Sequence, residues 1–179
     1  ARRGITAFRR RQWAVVVSVL GVASFVWSCY LTGANQPYAF FSTPTRAWQL
    51  ALGAGLALSA QFWRRQGTRV RALLGIAGVA AVTYAFVALS DANGHTPYPG
   101  FQALVPTVGA AAVVAAGINS TTPTLVQRVL SLRPLRFLGR VSYSWYLWHW
   151  PPLVLAVAYI GHEITWLQRL AISVGTLVL

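Results

Sequence analysis

The chain has 179 residues, 56% of them apolar and only 9% charged, where an ordinary soluble domain carries about a quarter charged residues; with a mean hydropathy of +0.53 it reads as a polytopic membrane protein. The formal net charge is +13 and all 15 basic residues are Arg. They sit in short clusters between long apolar runs, as the positive-inside rule predicts, so the charge does not point to nucleic acid and no nucleic-acid partner is expected.

In chain order, a basic leader (Arg2, Arg3, Arg9, Arg10, Arg11) precedes a first span over residues 13–31, charge-free and long enough to cross roughly 30 Å of hydrocarbon as a helix. Residues 32–45 read as an uncharged loop whose Tyr38, Phe40 and Phe41 suit a membrane interface. A second span is predicted over 44–63, with Gly53, Ala54, Gly55, Ala57 and Ala60 as close-packing residues. After Arg64, Arg65, Arg69 and Arg71, a third span covers 72–90. The loop from Asp91 to Pro99 has turn chemistry, and a fourth span follows over 100–119, with Pro106 as a candidate kink. In 120–140, Thr122 is placed to cap a helix with Pro123 at its first position. The result is a short amphipathic surface helix over about 123–132. A fifth span covers 141–160, a turn 161–166, and a sixth span 167–179. Cys29, the lone cysteine, reads as a small buried hydrophobe.

The fold class expected is therefore all-α, a transmembrane bundle of about six spans forming one domain over 1–179. The first residues are Ala-Arg-Arg and the last, Leu179, lies inside an apolar run, so the chain reads as an internal or C-terminal portion of a longer protein. If the spans alternate, 13 of the 15 Arg residues fall on one face, which the positive-inside rule makes cytoplasmic. The opposite face then receives Asp91, His95, His162 and Glu163, which come from different loops without metal-ligand spacing, so no metal is expected.

Two places carry candidate chemistry. With Thr43 as cap and Pro44 at the first helical position, Arg46 falls in the first turn of the second span. There a cation opposes the helix dipole, on the face where Arg is disfavoured. Those two penalties call for a compensating anion: Asp91, Glu163, a carboxylate from elsewhere in the protein, a substrate oxygen, or lipid headgroups reached by snorkelling. On the fifth span, Ser142, Tyr146 and His149 follow an i, i+4, i+7 spacing and share a face beside Trp145. His149 lies nine residues past Arg140, about 13 Å along a helix and near mid-membrane. An imidazole there serves as proton shuttle, general base or structural hydrogen-bonding group. Pro151 and Pro152 leave the carbonyls one turn earlier without donors.

Two stretches, Phe41-Ser-Thr-Pro-Thr-Arg-Ala-Trp-Gln-Leu-Ala-Leu-Gly53 and Phe137-Leu-Gly-Arg-Val-Ser-Tyr-Ser-Trp-Tyr-Leu-Trp-His-Trp-Pro151, resemble the later transmembrane segments of the acyltransferase 3 family, the O-antigen acetylase-like membrane acyltransferases. The resemblance covers essentially the whole chain, as the second half of a bundle of about ten helices. It implies a multi-pass enzyme of the bacterial cytoplasmic (inner) membrane. Such an enzyme moves an acyl group, commonly acetyl from cytoplasmic acyl-CoA, to a hydroxyl of an extracytoplasmic or lipid-linked glycan. It further implies that the presumed catalytic His and Arg lie in an N-terminal half outside this sequence. Arg46, Ser142, Tyr146 and His149 match the later motifs and would shape the pocket and position substrate, with His149 and Arg46 as supporting catalytic candidates. The expected partners are the lipid bilayer, a glycan or glycolipid acceptor and the missing N-terminal half. A transporter or flippase using the same Arg and His, or a non-catalytic subunit of a membrane assembly, are the alternative readings.

Overall fold

A computed structural model describes residues 2–89, 98–118, 122–160 and 165–176, with side chains from Arg9 onward. Every regular element among the described residues is helical. The chain forms two compact units, Ala1–Gln127 and Arg128–Leu179.

In the first unit, α1 (Arg2–Ala34) is one continuous helix of 33 residues. Its Arg9–Ala34 stretch, and α5 (Thr68–Ala88), have the length and apolarity to cross a membrane. The predicted loop after α1 contains a short helix, α2 (Gln36–Phe41). Asn35 caps it by accepting the Tyr38 N–H at 3.2 Å, and Pro37 occupies its first turn. Local cap chemistry therefore folds a segment that hydropathy alone reads as loop.

The second predicted span is broken. It forms α3 (Ala47–Leu58) and α4 (Ala60–Arg64), hinged at Ser59. Ser59 Oγ donates to the Gly55 carbonyl at 2.7 Å, and its backbone N–H reaches the same carbonyl at 2.9 Å. Such side-chain competition for backbone acceptors weakens a helix from within. The start of α3 also departs from expectation. Thr43 does not cap it and Pro44 is not its first residue; Pro44, Thr45 and Arg46 form a turn, and Arg46 is the N-cap residue at φ −110°, ψ −7°. The cap comes from another helix: Ser24 on α1 accepts the Trp48 N–H at 2.9 Å and donates to the Pro44 carbonyl. Thr45 is fully buried, donating to the Ala39 and Ser42 carbonyls at 2.7 and 2.6 Å.

The third span begins earlier than predicted, so that α5 includes Arg69 and Arg71. The fourth is a 3-10 turn (Phe101–Ala103) leading into α6 (Leu104–Gly117). Pro106 lies in the first turn of α6, where a missing N–H forfeits no helical bond. Before that turn, Gly100 takes φ 25° and donates its N–H to Thr32 Oγ1 at 3.0 Å, while Thr32 donates to the Ser28 carbonyl. A side chain would be strained at that φ.

Helices α5 and α6 pack backbone to backbone. A Cβ on Gly78 would lie 2.6 Å from the Gly109 carbonyl oxygen, and one on Gly109 would lie 2.9 Å from that of Gly78. Helices α1 and α3 approach where a Cβ on Gly21 would lie 2.9 Å from Cβ of Ala51. Gly53 and Gly55, expected as packing residues, meet nothing within 4 Å. Small size permits close approach but does not select which glycine is used. Cys29 is half-buried rather than buried.

At the junction of the two units, α7 (Leu125–Leu130) is shorter than the predicted surface helix. Thr122 does not cap it; the Thr124 N–H is instead taken by Gln127 Oε1 at 2.7 Å. In the second unit, α8 (Arg133–Ile160) is a single helix of 28 residues that fuses the end of the predicted surface segment with the fifth span and runs through Pro151 and Pro152. Helix α9 (Trp166–Gly175) starts with a capping box in which Thr165 accepts the Gln168 N–H and Gln168 accepts the Thr165 N–H.

Candidate functional site

His149 projects from α8 and is half-buried. Its Nδ1 lies 3.1 Å from the Trp145 carbonyl oxygen. A carbonyl only accepts, so in the neutral ring Nδ1 carries the proton and Nε2 keeps its lone pair. The ring is thereby oriented as a proton acceptor at Nε2. The anchor is itself braced: Trp145 Nε1 donates to the Ser173 carbonyl at 2.7 Å and to Thr176 Oγ1 at 3.2 Å, at the end of α9. The predicted face is partly realised. Tyr146 and His149 stand with ring centroids 5.9 Å apart, and Trp145 and His149 with 6.3 Å. Ser142, one turn before Tyr146, is exposed and donates to the Gly139 carbonyl at 3.0 Å. Pro151 and Pro152 have no N–H to offer the carbonyls of Leu147 and Trp148, so those two acceptors lack their usual helical donors.

Arg46 belongs to the first unit. Its Nε donates to the Phe40 carbonyl at 2.9 Å, and its guanidinium carbon lies 4.6 Å above the centre of the Phe40 ring. Phe40 is in the last turn of α2, where free carbonyls carry partial negative charge. A carbonyl dipole and a ring face thus supply the compensation expected from an anion. The bond uses Nε and leaves the two Nη groups to reach other oxygens. Asp91, His95, His162 and Glu163 lie outside the described residues, and among the described ones no group of three or more His, Cys, Asp or Glu residues is arranged to hold a metal.

The positive-inside pattern places Arg71 in a cytoplasmic loop, yet its side chain is only 1% exposed. Nε donates to the Ala116 carbonyl at 3.0 Å, Nη1 to the Thr122 carbonyl and hydroxyl at 3.3 Å each, and Nη2 to Gln127 Oε1 at 3.1 Å. Its spacing from Arg69 gave no sign of this, because burial depends on the return of α6 to the start of α5. The second feature the sequence did not show is a cavity of about 980 Å³ among α1, α3 and α6, with Arg10 and Arg11 at one end and Phe25 and Trp48 towards the other.

Among the described residues α1 and α5 are long and apolar enough to cross a membrane, and α8 carries an imidazole whose Nε2 keeps an accepting lone pair, a candidate group-transfer site. The acyltransferase domain of the acyltransferase 3 family matches residues 2–179, and the chain belongs to that family. It is 29% identical over 157 residues to the peptidoglycan O-acetyltransferase OatA of Listeria monocytogenes, covering 84% of this chain and 24% of that protein. It is 31% identical over 167 residues to the putative peptidoglycan O-acetyltransferase YrhL of Bacillus subtilis, covering 88% and 26%. The O-acetyltransferase OatA of Staphylococcus aureus is 27% identical over 154 residues, covering 83% and 25%. The chain thus spans about a quarter of the length of these curated relatives. No solved structure matches it.

Proposed function

We propose that this chain is part of a multi-pass O-acyltransferase of the bacterial cytoplasmic membrane, which moves an acetyl group from cytoplasmic acyl-CoA to a hydroxyl of an extracytoplasmic glycan. The family match over residues 2–179 carries this reading. The peptidoglycan O-acetyltransferase names of two relatives favour a cell-wall glycan as acceptor. The clustering of Arg residues in the leader, from the end of α4 into the start of α5, and from α7 into α8 favours a cytoplasmic position for those segments.

In this reading His149 Nε2 accepts a hydrogen bond from the acceptor hydroxyl, or from the group that deprotonates it, and Tyr146 stands beside it to orient the sugar. Ser142 extends the same face. The Nη groups of Arg46 bind an anionic or carbonyl oxygen of a substrate. The principal base belongs to the N-terminal half, so these four residues support and position. His149→Ala and Arg46→Ala in the full-length protein, with membrane insertion checked, should each reduce acetyl transfer to glycan. Unchanged turnover in both would reduce them to packing residues.

A further inference from the structure

The cavity among α1, α3 and α6 has a polarity gradient that the proposed reaction leaves unused. Its walls are contributed by residues such as Ala14, Val17, Leu52, Leu56, Val108 and Ala112. The polar groups near its basic end are already engaged. Ser59 Oγ is bonded to the Gly55 carbonyl and to Trp63 Nε1, the latter at 2.9 Å. Arg10 closes that end: one terminal nitrogen donates to the Leu58 carbonyl, which the break at Ser59 leaves available, and the other lies 3.5 Å from Gln61 Oε1. Arg11, one residue on, is exposed and also lines the cavity. From Arg10 to Phe25, α1 advances about 22 Å. A binding site with two guanidinium groups at one end and a long hydrocarbon wall beyond them fits an amphiphile with an anionic head and an acyl tail.

We propose that this groove binds an anionic phospholipid of the surrounding bilayer, its phosphate at Arg10 and Arg11 and one acyl chain lying along α1 towards Phe25 and Trp48. The pantetheine arm of an acyl-CoA fits less well, because its amides would enter a wall whose hydroxyl at Ser59 is already bonded and would lose their partners in water. The phosphate forms charge-assisted hydrogen bonds with the guanidinium groups, and the chain satisfies the apolar wall.

The test is native mass spectrometry of the detergent-purified full-length protein, incubated with phosphatidylglycerol or with phosphatidylcholine of identical chains. Phosphatidylglycerol should be retained preferentially, and Arg11→Gln should reduce the preference by about fivefold, the effect of one basic residue on an anionic lipid. Ala112→Phe, which fills the groove, should lower retention of both lipids. Arg11→Gln changes an exposed side chain, so the charge arm stands even if the filled variant does not fold. Equal retention of the two lipids by the unsubstituted protein overturns the proposal, as does undiminished retention by folded Ala112→Phe. Displacement of lipid by acetyl-CoA gives the groove to the acyl donor, and absence of any retained lipid gives it to another segment of the protein; either result overturns the proposal.

Discussion

Arg71 and Gln127 are joined by a hydrogen bond of 3.1 Å from Nη2 to Oε1, and through it the first turn of α5 is tied to α7 and to the end of α6. Gln127 completes the knot, accepting the Thr124 N–H with Oε1 and donating to the Ala116 carbonyl with Nε2. Arg71 is therefore a structural centre of the first unit.

Removing it takes one of two donors from the buried Ala116 carbonyl and one from Gln127 Oε1, and leaves Thr122 without its guanidinium contacts. Arg71→Ala should cost roughly 2–3 kcal/mol, the scale of a hydrogen bond to a charged group. Arg71→Lys should recover only part, since an ammonium cannot reproduce the planar fork that reaches three residues. The thermal midpoint of the purified protein checks this, and an unchanged midpoint in Arg71→Ala contradicts it.

The contact between Gly78 and Gly109 predicts a different response. A methyl at Gly78 would meet backbone, which has little freedom to move, so Gly78→Ala should destabilise by about 1–3 kcal/mol despite the better helix propensity of Ala. Gly53→Ala, with nothing within 4 Å, should be neutral or stabilise by up to about 1 kcal/mol. Comparing the two by thermal or denaturant unfolding isolates the close approach from the propensity term.

How much of this was legible differs by element. The apolar run after Arg11 and that before Ser90 gave α1 and α5, because a charge-free stretch of that length has few other solutions. The break at Ser59 and the tertiary cap by Ser24 were not legible: each depends on which backbone acceptors a hydroxyl finds after the chain has folded. The burial of Arg71 escaped for the same reason, since an Arg beside other Arg residues looks like surface charge. Of the candidate site, the shared face of Tyr146 and His149 follows from helical spacing alone. The tautomer of His149 and the bracing of Trp145 by α9 required coordinates. For Arg46, the sequence exposed the electrostatic problem but placed the residue inside the helix rather than at its cap, and it did not show Phe40 as the answer.

Trp145 separates anchoring from chemistry. Trp145→Phe keeps the carbonyl that orients His149 but removes the indole N–H that bonds α9, so it should cost about 1 kcal/mol of stability. Acetyl transfer should fall by less than about threefold, against about tenfold for His149→Ala, the kinetic equivalent of one positioning hydrogen bond of roughly 1.4 kcal/mol. Equal kinetic losses would mean that His149 acts only through packing with Trp145.

Arg46→Lys tests whether the guanidinium serves substrate as well as fold. Lys keeps the charge but has no Nε to donate to the Phe40 carbonyl while terminal nitrogens remain available. We expect a higher KM for one substrate, with stability lowered by about 1 kcal/mol through loss of the ring contact and the bond. A change in stability without any change in KM would confine Arg46 to joining α2 and α3.

The central claim is acyl transfer to a glycan hydroxyl, and its most direct measurement uses membranes containing the full-length protein, radiolabelled acetyl-CoA and cell-wall glycan. The account predicts label on the glycan as an ester released by mild base, strongly reduced in His149→Ala membranes containing equal amounts of protein. Absence of glycan-bound label, with a solute or lipid instead moved across sealed vesicles by the same protein, would contradict it.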